Sequence, residues 1–186
     1  QRGTQHAWNS VASSADGTRL VALLVPTAGI IEPPGSGIYT STDSGVTWTA
    51  QPILGMFGGS SVASASDGRK LIAVSEGTRG IYTSTDGGAT WTAHDLVQPW
   101  TAVASSEDGS RLVAVANGGM GSGGYIYTSV DSGSNWTEGG SWQNWRAVAS
   151  SSDGQRLVAA ADGGYLYTSI DGGLNWAQRG SVRPWQ

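Results

Sequence analysis

The apolar and polar positions of this chain form a set of short β-strand patterns that is repeated four times. A run rich in Val, Ala and Ser, first at residues 11–14, precedes a continuous apolar run at residues 20–23. A β-branched and aromatic run follows at residues 38–41, and such residues favour strands. The continuous apolar run is typical of a strand covered on both faces of its sheet. Since no segment keeps a 3.6-residue period over ten residues, the pattern predicts an all-β chain.

Each repeat is predicted to contain four strands, a to d in chain order. An Asp-Gly pair between strands a and b is a strong hairpin signal. Four antiparallel four-stranded units stacked radially make a β-propeller, with blades at approximately 8–58, 59–99, 100–144 and 145–184. A four-bladed section, or half of an eight-bladed ring, is the alternative. The hairpin pairs are Asp16-Gly17, Asp67-Gly68, Asp108-Gly109 and Asp153-Gly154.

The connection between strands c and d carries the strongest motif, Ser-x-Asp-x-Gly-x-x-Trp. It lies in IYTSTDSGVTW at 38–48 and returns after intervals typical of propeller blades. The Asp is expected to bond backbone N–H groups ahead of it, and the Gly to supply a positive φ. The Trp is expected to begin strand d and to cover the hairpin as a core residue. The motif residues are Ser41, Asp43, Gly45, Trp48, Ser84, Asp86, Gly88, Trp91, Ser129, Asp131, Gly133, Trp136, Ser169, Asp171, Gly173 and Trp176.

These motifs resemble the Asp-box, or bacterial neuraminidase, repeat. That repeat occurs in sialidases, other glycoside hydrolases, sortilin-like receptors and many secreted proteins. The resemblance covers nearly the whole chain, since all four boxes match without a substitution. It implies a propeller whose boxes lie at the periphery, away from any catalytic centre. We therefore interpret the four Asp residues as structural and expect a secreted or extracellular protein.

Composition and charge narrow the classes of partner. A formal charge of −4 and a pI near 4.9 disfavour nucleic acid and anionic membrane surfaces as partners. No apolar run reaches 18 residues, so no membrane insertion is predicted. The absence of Cys excludes disulfides and thiolate metal sites. His6 and His94 lack metal-ligand spacing, and neither a metal nor a cofactor is predicted.

The two ends of the chain raise the question of ring closure. Gln1-Arg2-Gly3 followed by Trp8 resembles residues 178–180 followed by Trp185. Both stretches fit the same position, the exit from a strand d into a strand a. Three arrangements remain: a frayed four-bladed ring, two chains completing an eight-bladed ring, or part of a longer array. We expect a monomer or such a homodimer. The start at Gln1 fits a mature product or a piece of a longer protein.

The connections b–c and d–a differ between repeats, so we expect ligand binding on the face that they form. Trp142 has no Trp counterpart and is either a stacking platform or a seal for the next blade. Arg146 is a cation at the start of a strand a, either aimed at an anionic ligand or simply exposed. Tyr125 and Tyr165 replace Gly37 and Gly80 and are candidates for contact or packing. The expected ligand is a glycan or an extracellular protein.

A sialidase would need, by the resemblance, an arginine triad, a Tyr nucleophile with a Glu partner, and an Asp acid/base. Four cations repeat instead at one turn position, where we interpret them as solvated. A glycosidase needs two facing carboxylates, and the spacing of Glu32, Glu76, Asp95 and Asp162 favours no pair. We therefore predict a non-catalytic binding module. A structural section of a repeat array and a hydrolase remain alternatives. The repeated cations are Arg19, Lys70, Arg111 and Arg156.

Overall fold

The computed structural model describes residues 7–24, 36–52, 60–75, 80–118 and 123–180. In these ranges the chain forms four antiparallel four-stranded sheets and no helix. Strands follow one another across each sheet in chain order, as in a propeller blade. The predicted all-β propeller fold of four four-stranded blades is confirmed.

Each blade is a meander of four consecutive strands. Blade one contains β1–β4, blade two β5–β8, blade three β9–β12 and blade four β13–β16. The strands are β1 (Trp8–Ser13), β2 (Leu20–Leu24), β3 (Ser36–Ser41), β4 (Thr49–Pro52), β5 (Ser61–Ser64), β6 (Leu71–Val74), β7 (Ile81–Ser84), β8 (Thr92–His94), β9 (Trp100–Ser105), β10 (Leu112–Ala116), β11 (Gly124–Ser129), β12 (Thr137–Gln143), β13 (Trp145–Ser150), β14 (Leu157–Ala161), β15 (Leu166–Ser169) and β16 (Ala177–Arg179).

The hydrophobic core is divided into layers between successive blades. Between blades one and two, Val21 and Ile38 pack with Val62 and Tyr82. Equivalent clusters lie between blades two and three and between blades three and four. Strands β6 and β10 are buried along their whole length, because neighbouring sheets cover both faces. Within the described residues, no cluster joins blade four to blade one.

The Ser-x-Asp-x-Gly-x-x-Trp segment, here called the box turn, closes each blade through side-chain hydrogen bonds. In blade one the amide and hydroxyl of Thr47 donate to Asp43, at 2.9 and 2.6 Å. The Ser41 hydroxyl donates to Asp43 at 2.8 Å and accepts from the Gly45 N–H at 2.9 Å. Gly45 has φ +80°, as expected from the motif. The bonding role of the Ser was not foreseen. The other three box turns repeat the Ser–Asp and Ser–Gly bonds.

The Trp of the box turn departs from its expected position. Strand β8 begins at Thr92, one residue after Trp91, and the Trp91 ring is half-buried rather than buried. The Trp91 indole N–H donates to the Gly88 carbonyl at 3.0 Å. This bond holds the ring across the turn, so the side chain stays at the margin of the blade interface. Its faces still pack against the core cluster between blades one and two.

The repeated cations were interpreted as solvated, and three of them are not. Arg19, Lys70 and Arg111 are half-buried and lie against the turns of the next blade. A Cβ atom added to Gly68 would lie 2.6 Å from the Arg19 Cβ, and Lys70 Nζ donates to the Ser132 hydroxyl at 3.3 Å. The cations therefore help to join blades, because their aliphatic stems pack against the next hairpin and the Lys70 ammonium bonds a box turn of the next blade.

Replacing the half-buried Trp91 tests the box turn. We expect Trp91→Ala to lower the free energy of unfolding by about 2–3 kcal/mol, below the range for fully buried aromatics. The control is Leu174→Ala in the fourth box turn, where the side chain is 78% exposed; we expect a change within about 0.5 kcal/mol. Both values come from denaturant unfolding. Equal values would contradict the packing role of the Trp.

Acid should weaken the fold through the box turns. The pKa of Asp43 is lowered from 3.8 to about 2, first by the Thr47 hydroxyl and then by the Thr47 amide. Because the folded pKa lies below the unfolded one, this stabilisation is present above pH 3.8 and is lost as pH falls toward 2. We expect the thermal midpoint to fall over that interval. In Asp43→Asn, where nothing titrates at this position, the fall should be smaller; an unchanged fall would contradict the assignment.

Candidate functional site

Trp142 lies on a strand, although the sequence placed it in a connection between blades. Strand β12 runs to Gln143, and its register against β11 shifts between the pairs Ile126–Gly139 and Gly124–Gln143. The extra residues of β12 form a bulge, with Gly140 at φ +73°. A bulge bends a strand and changes the direction of its side chains. The bulge therefore lengthens the strand and presents Trp142 at its end.

The Trp142 indole forms an exposed aromatic platform. Its side chain is 53% exposed, and its ring meets Tyr125 edge-on, with ring centroids 4.9 Å apart and an interplanar angle of 74°. Tyr125 is half-buried and packs on the core cluster between blades two and three. A Cβ atom on Gly123 would lie 2.4 Å from Trp142 Nε1, so a glycine is required beneath the indole. The platform is therefore held in place before any ligand arrives.

Arg146 occupies a second bulge and forms an ion pair. Trp145 pairs with Ala161 and Ala147 pairs with Ala160, so Arg146 is the extra residue of β13. Its Nη2 lies 2.8 Å from Asp162 Oδ2 in the turn between β14 and β15. The hydrogen bond from Arg146, and then its charge, lower the pKa of Asp162. Both side chains remain largely exposed, at 59% and 45%, so the pair is accessible to a ligand.

Asn144 lies between Trp142 and Arg146 in the chain and bonds Asp162. Its carbonyl accepts the Asp162 N–H at 2.7 Å, and its Nδ2 lies 3.4 Å from Asp162 Oδ2. Asn144 Oδ1 is buried and has no hydrogen-bond partner among the described residues. Asn144 was not foreseen from the sequence. One signal was available in the sequence. The residue before Trp145 is the polar Asn144, whereas Pro99 and Ala7 precede the equivalent tryptophans of blades three and one.

Tyr165 packs against the core between blades three and four. Its side chain is half-buried. Its carbonyl accepts the Ala161 N–H at 3.1 Å, closing the β14–β15 turn. The structure therefore brings together Trp142 with Tyr125 and Arg146 with Asp162, and it assigns Tyr165 to packing.

Three residues considered in the sequence lie outside the described residues: His6, Glu32 and Glu76. His94 is described; its Nε2 lies 2.8 Å from the Thr83 hydroxyl, and burial lowers its pKa. Within the described ranges, no cluster of three or more His, Cys, Asp or Glu side chains is suited to a metal ion. The same part of the chain contains no helix that could span a membrane.

The chain is similar to known proteins by structure alone. No family model and no curated protein matches it. An ancestral GH74 enzyme is similar at TM-score 0.69 and 17% identity, over 95% of this chain and 24% of that one. The GH74 enzyme of Niastella koreensis gives 0.65 and 24%, over 91% and 24% of the two chains. YCF48 bound to a D1 peptide gives 0.66 and 18%, over 99% and 57%.

At these identities the similarity establishes the fold. The four blades place the chain among β-propeller proteins, and the ranges matched cover nearly all of it. The chain spans about a quarter of the GH74 enzymes and somewhat over half of YCF48.

The glycine beneath the platform can be tested without a ligand. Gly123 and Gly163 both have positive φ, at +85° and +91°, but a Cβ at 163 meets nothing within 4 Å. We expect Gly163→Ala to lower stability through backbone strain, by about 1–3 kcal/mol. We expect Gly123→Ala to cause the same backbone strain and, in addition, to displace the Trp142 ring. The near-UV circular dichroism of Gly123→Ala should therefore fall further than that of Gly163→Ala. Matching spectra for the two variants would contradict a fixed platform.

Proposed function

We propose that this chain is a non-catalytic glycan-binding module, with its site on the variable face of blades three and four. The observation that carries the proposal is the exposed Trp142 indole, fixed against Tyr125 on the strand that precedes the one carrying Arg146, the partner of Asp162. Large aromatic side chains give much contact area for little loss of conformational entropy. An exposed indole at a defined position is therefore suited to the apolar face of a sugar ring.

The polar groups complement such a platform. Arg146 donates and Asp162 accepts hydrogen bonds, and both remain exposed. A sugar hydroxyl group can both donate and accept a hydrogen bond. An uncharged sugar can therefore bond to Arg146 and to Asp162. The platform is open, which suits an extended polysaccharide. One structural neighbour is a GH74 xyloglucanase from Xanthomonas campestris, and that similarity supports a carbohydrate ligand by analogy of fold.

Binding is favoured over hydrolysis by the state of Asp162. Glycoside hydrolysis normally requires two carboxyl groups flanking the scissile bond, one of them a general acid with a raised pKa. The pKa of Asp162 is lowered, and the carboxylate is held by Arg146. A carboxylate in this state is a hydrogen-bond acceptor rather than a proton donor.

We assign the box turns to the Asp-box repeat and the chain to a secreted or extracellular protein. Support comes from four unsubstituted motifs, each with the same Ser–Asp–Gly hydrogen bonds. A protein ligand is the second candidate. It is favoured by the similarity to YCF48, which is bound to a peptide in its structure.

A glycan array probed with the whole chain tests the proposal. For the glycan that binds best, we expect Trp142→Ala to weaken binding by about 1–3 kcal/mol by titration calorimetry, because the stacking surface is lost. The control is Val130→Ala in the third box turn, where the side chain is 64% exposed; binding should not change.

Two results would contradict the assignment. One is unchanged binding by a folded Trp142→Ala variant. The other is loss of binding by a folded Asp131→Ala variant, because Asp131 lies in a box turn and should act through stability. If no glycan on the array binds, the proposal of a glycan ligand is wrong and a protein becomes the proposed ligand.

A further inference from the structure

Every internal blade interface joins two different faces. The trailing face of one blade carries the positions equivalent to Val21 and Ile38, and the leading face of the next carries those equivalent to Val62 and Tyr82. Three such interfaces are present in the described chain. They leave the leading face of blade one and the trailing face of blade four at the two ends. These two surfaces are called the end faces below.

Several apolar side chains whose equivalents are buried inside the chain are exposed at its end faces, whereas Leu24 and Tyr39 on the leading face of blade one stay buried. On the leading side, Val62 and Val103 are each 6% exposed, whereas the equivalent Val11 is 71% exposed. On the trailing side, Val21 and Val113 are 1% and 2% exposed, whereas Val158 is 37% exposed. The same residue type thus occupies the same position in the blade, and only the covering blade differs.

A series of backbone hydrogen bonds joins the hairpins between the first and second strands of successive blades. Within the described residues, this series ends at one donor and one acceptor that have no backbone partner. Ala15 N–H donates to the Ser66 carbonyl in the next blade, Ser66 to Glu107, and Glu107 to Ser152, each at 2.8 Å. Continuation of this series would need an acceptor for the Ser152 N–H and a donor for the Ala15 carbonyl. Neither has a backbone partner within the described residues. The trailing end therefore offers a donor and the leading end an acceptor.

The cation that covers the next hairpin shows the same pattern. Added Cβ atoms on Gly68 and Gly154 would lie 2.6 Å from the Cβ atoms of Arg19 and Arg111, in the preceding blades. A Cβ on the equivalent Gly17 would meet nothing within 4 Å. At the other end, the equivalent Arg156 is exposed while Arg19 and Arg111 are half-buried. Among the described residues, blade one thus has an uncovered glycine turn, and blade four has a cation with no turn to cover.

We propose that the two end faces bind each other between two copies of this chain. Each group left over at one end is the partner of a group left over at the other: the valines, the Ser152 N–H with the Ala15 carbonyl, and Arg156 with Gly17. A second copy supplies all of them in one orientation. Two copies joined at both ends contain eight blades, within the usual range for propellers. Each of the two contacts joins two different faces, and together they close a ring of two copies with C2 symmetry.

The mass of the chain in solution tests this proposal. We expect a dimer by multi-angle light scattering, with the dissociation constant raised at least about tenfold in Val11→Glu and in Val158→Lys, because each leaves a buried charge unpaired. An equimolar mixture of the two variants should form mixed dimers, because one contact then joins two intact faces. The second contact brings the introduced Glu and Lys to the same interface. A symmetric contact between identical faces would not give this rescue.

Two further variants separate association from stability. Val130→Lys lies in a box turn away from both end faces and should leave the mass unchanged. Arg156→Ala should weaken the dimer by about tenfold while unfolding of the diluted monomer stays as in the parent chain. The proposal is overturned if the parent chain is monomeric at all concentrations, or if Val11→Glu and Val158→Lys dimerise as the parent does. It is also overturned if mixing those two variants fails to restore the dimer.

Discussion

The packing of one sheet face against the next determines the architecture of this chain. A four-stranded blade has two apolar faces and cannot bury both within itself, so its stability depends on its neighbours. This requirement explains why the central strands β6 and β10 are buried at every position. It also explains why the hydrophobic core consists of separate layers between blades instead of a single centre.

Local chemistry made much of the fold predictable from sequence. The box turn is a short-range device whose Ser, Asp and Gly bond one another within four residues, so its motif was sufficient. The positions of Arg19 and Trp142 were not predictable in the same way. Arg19 contacts a turn in another blade, and Trp142 depends on a bulge that no residue type specifies. Both features arise from contacts distant in sequence or from register.

The candidate site shows a similar division. An unmatched Trp and an unmatched Arg were sufficient to select this edge of blades three and four as the candidate site. Their partners were harder to foresee, because Asp162 reaches Arg146 through a turn of another strand and Asn144 acts largely through its backbone. Repeats within a chain therefore indicate where a surface differs, while three-dimensional contacts determine which of the differing residues act together.

The first strand of three blades carries one extra residue in a bulge at the same register, at Asn9, Thr101 and Arg146. Asn9 and Thr101 each bond a carbonyl of the next blade, Ser60 and Trp145, whereas Arg146 turns to Asp162. Because a bulged residue lies outside the ladder, its side chain can change without altering strand pairing. The propeller thus has, around one rim, a set of equivalent positions at which the residue can vary. New recognition chemistry can be introduced there blade by blade, with the supporting sheets left intact.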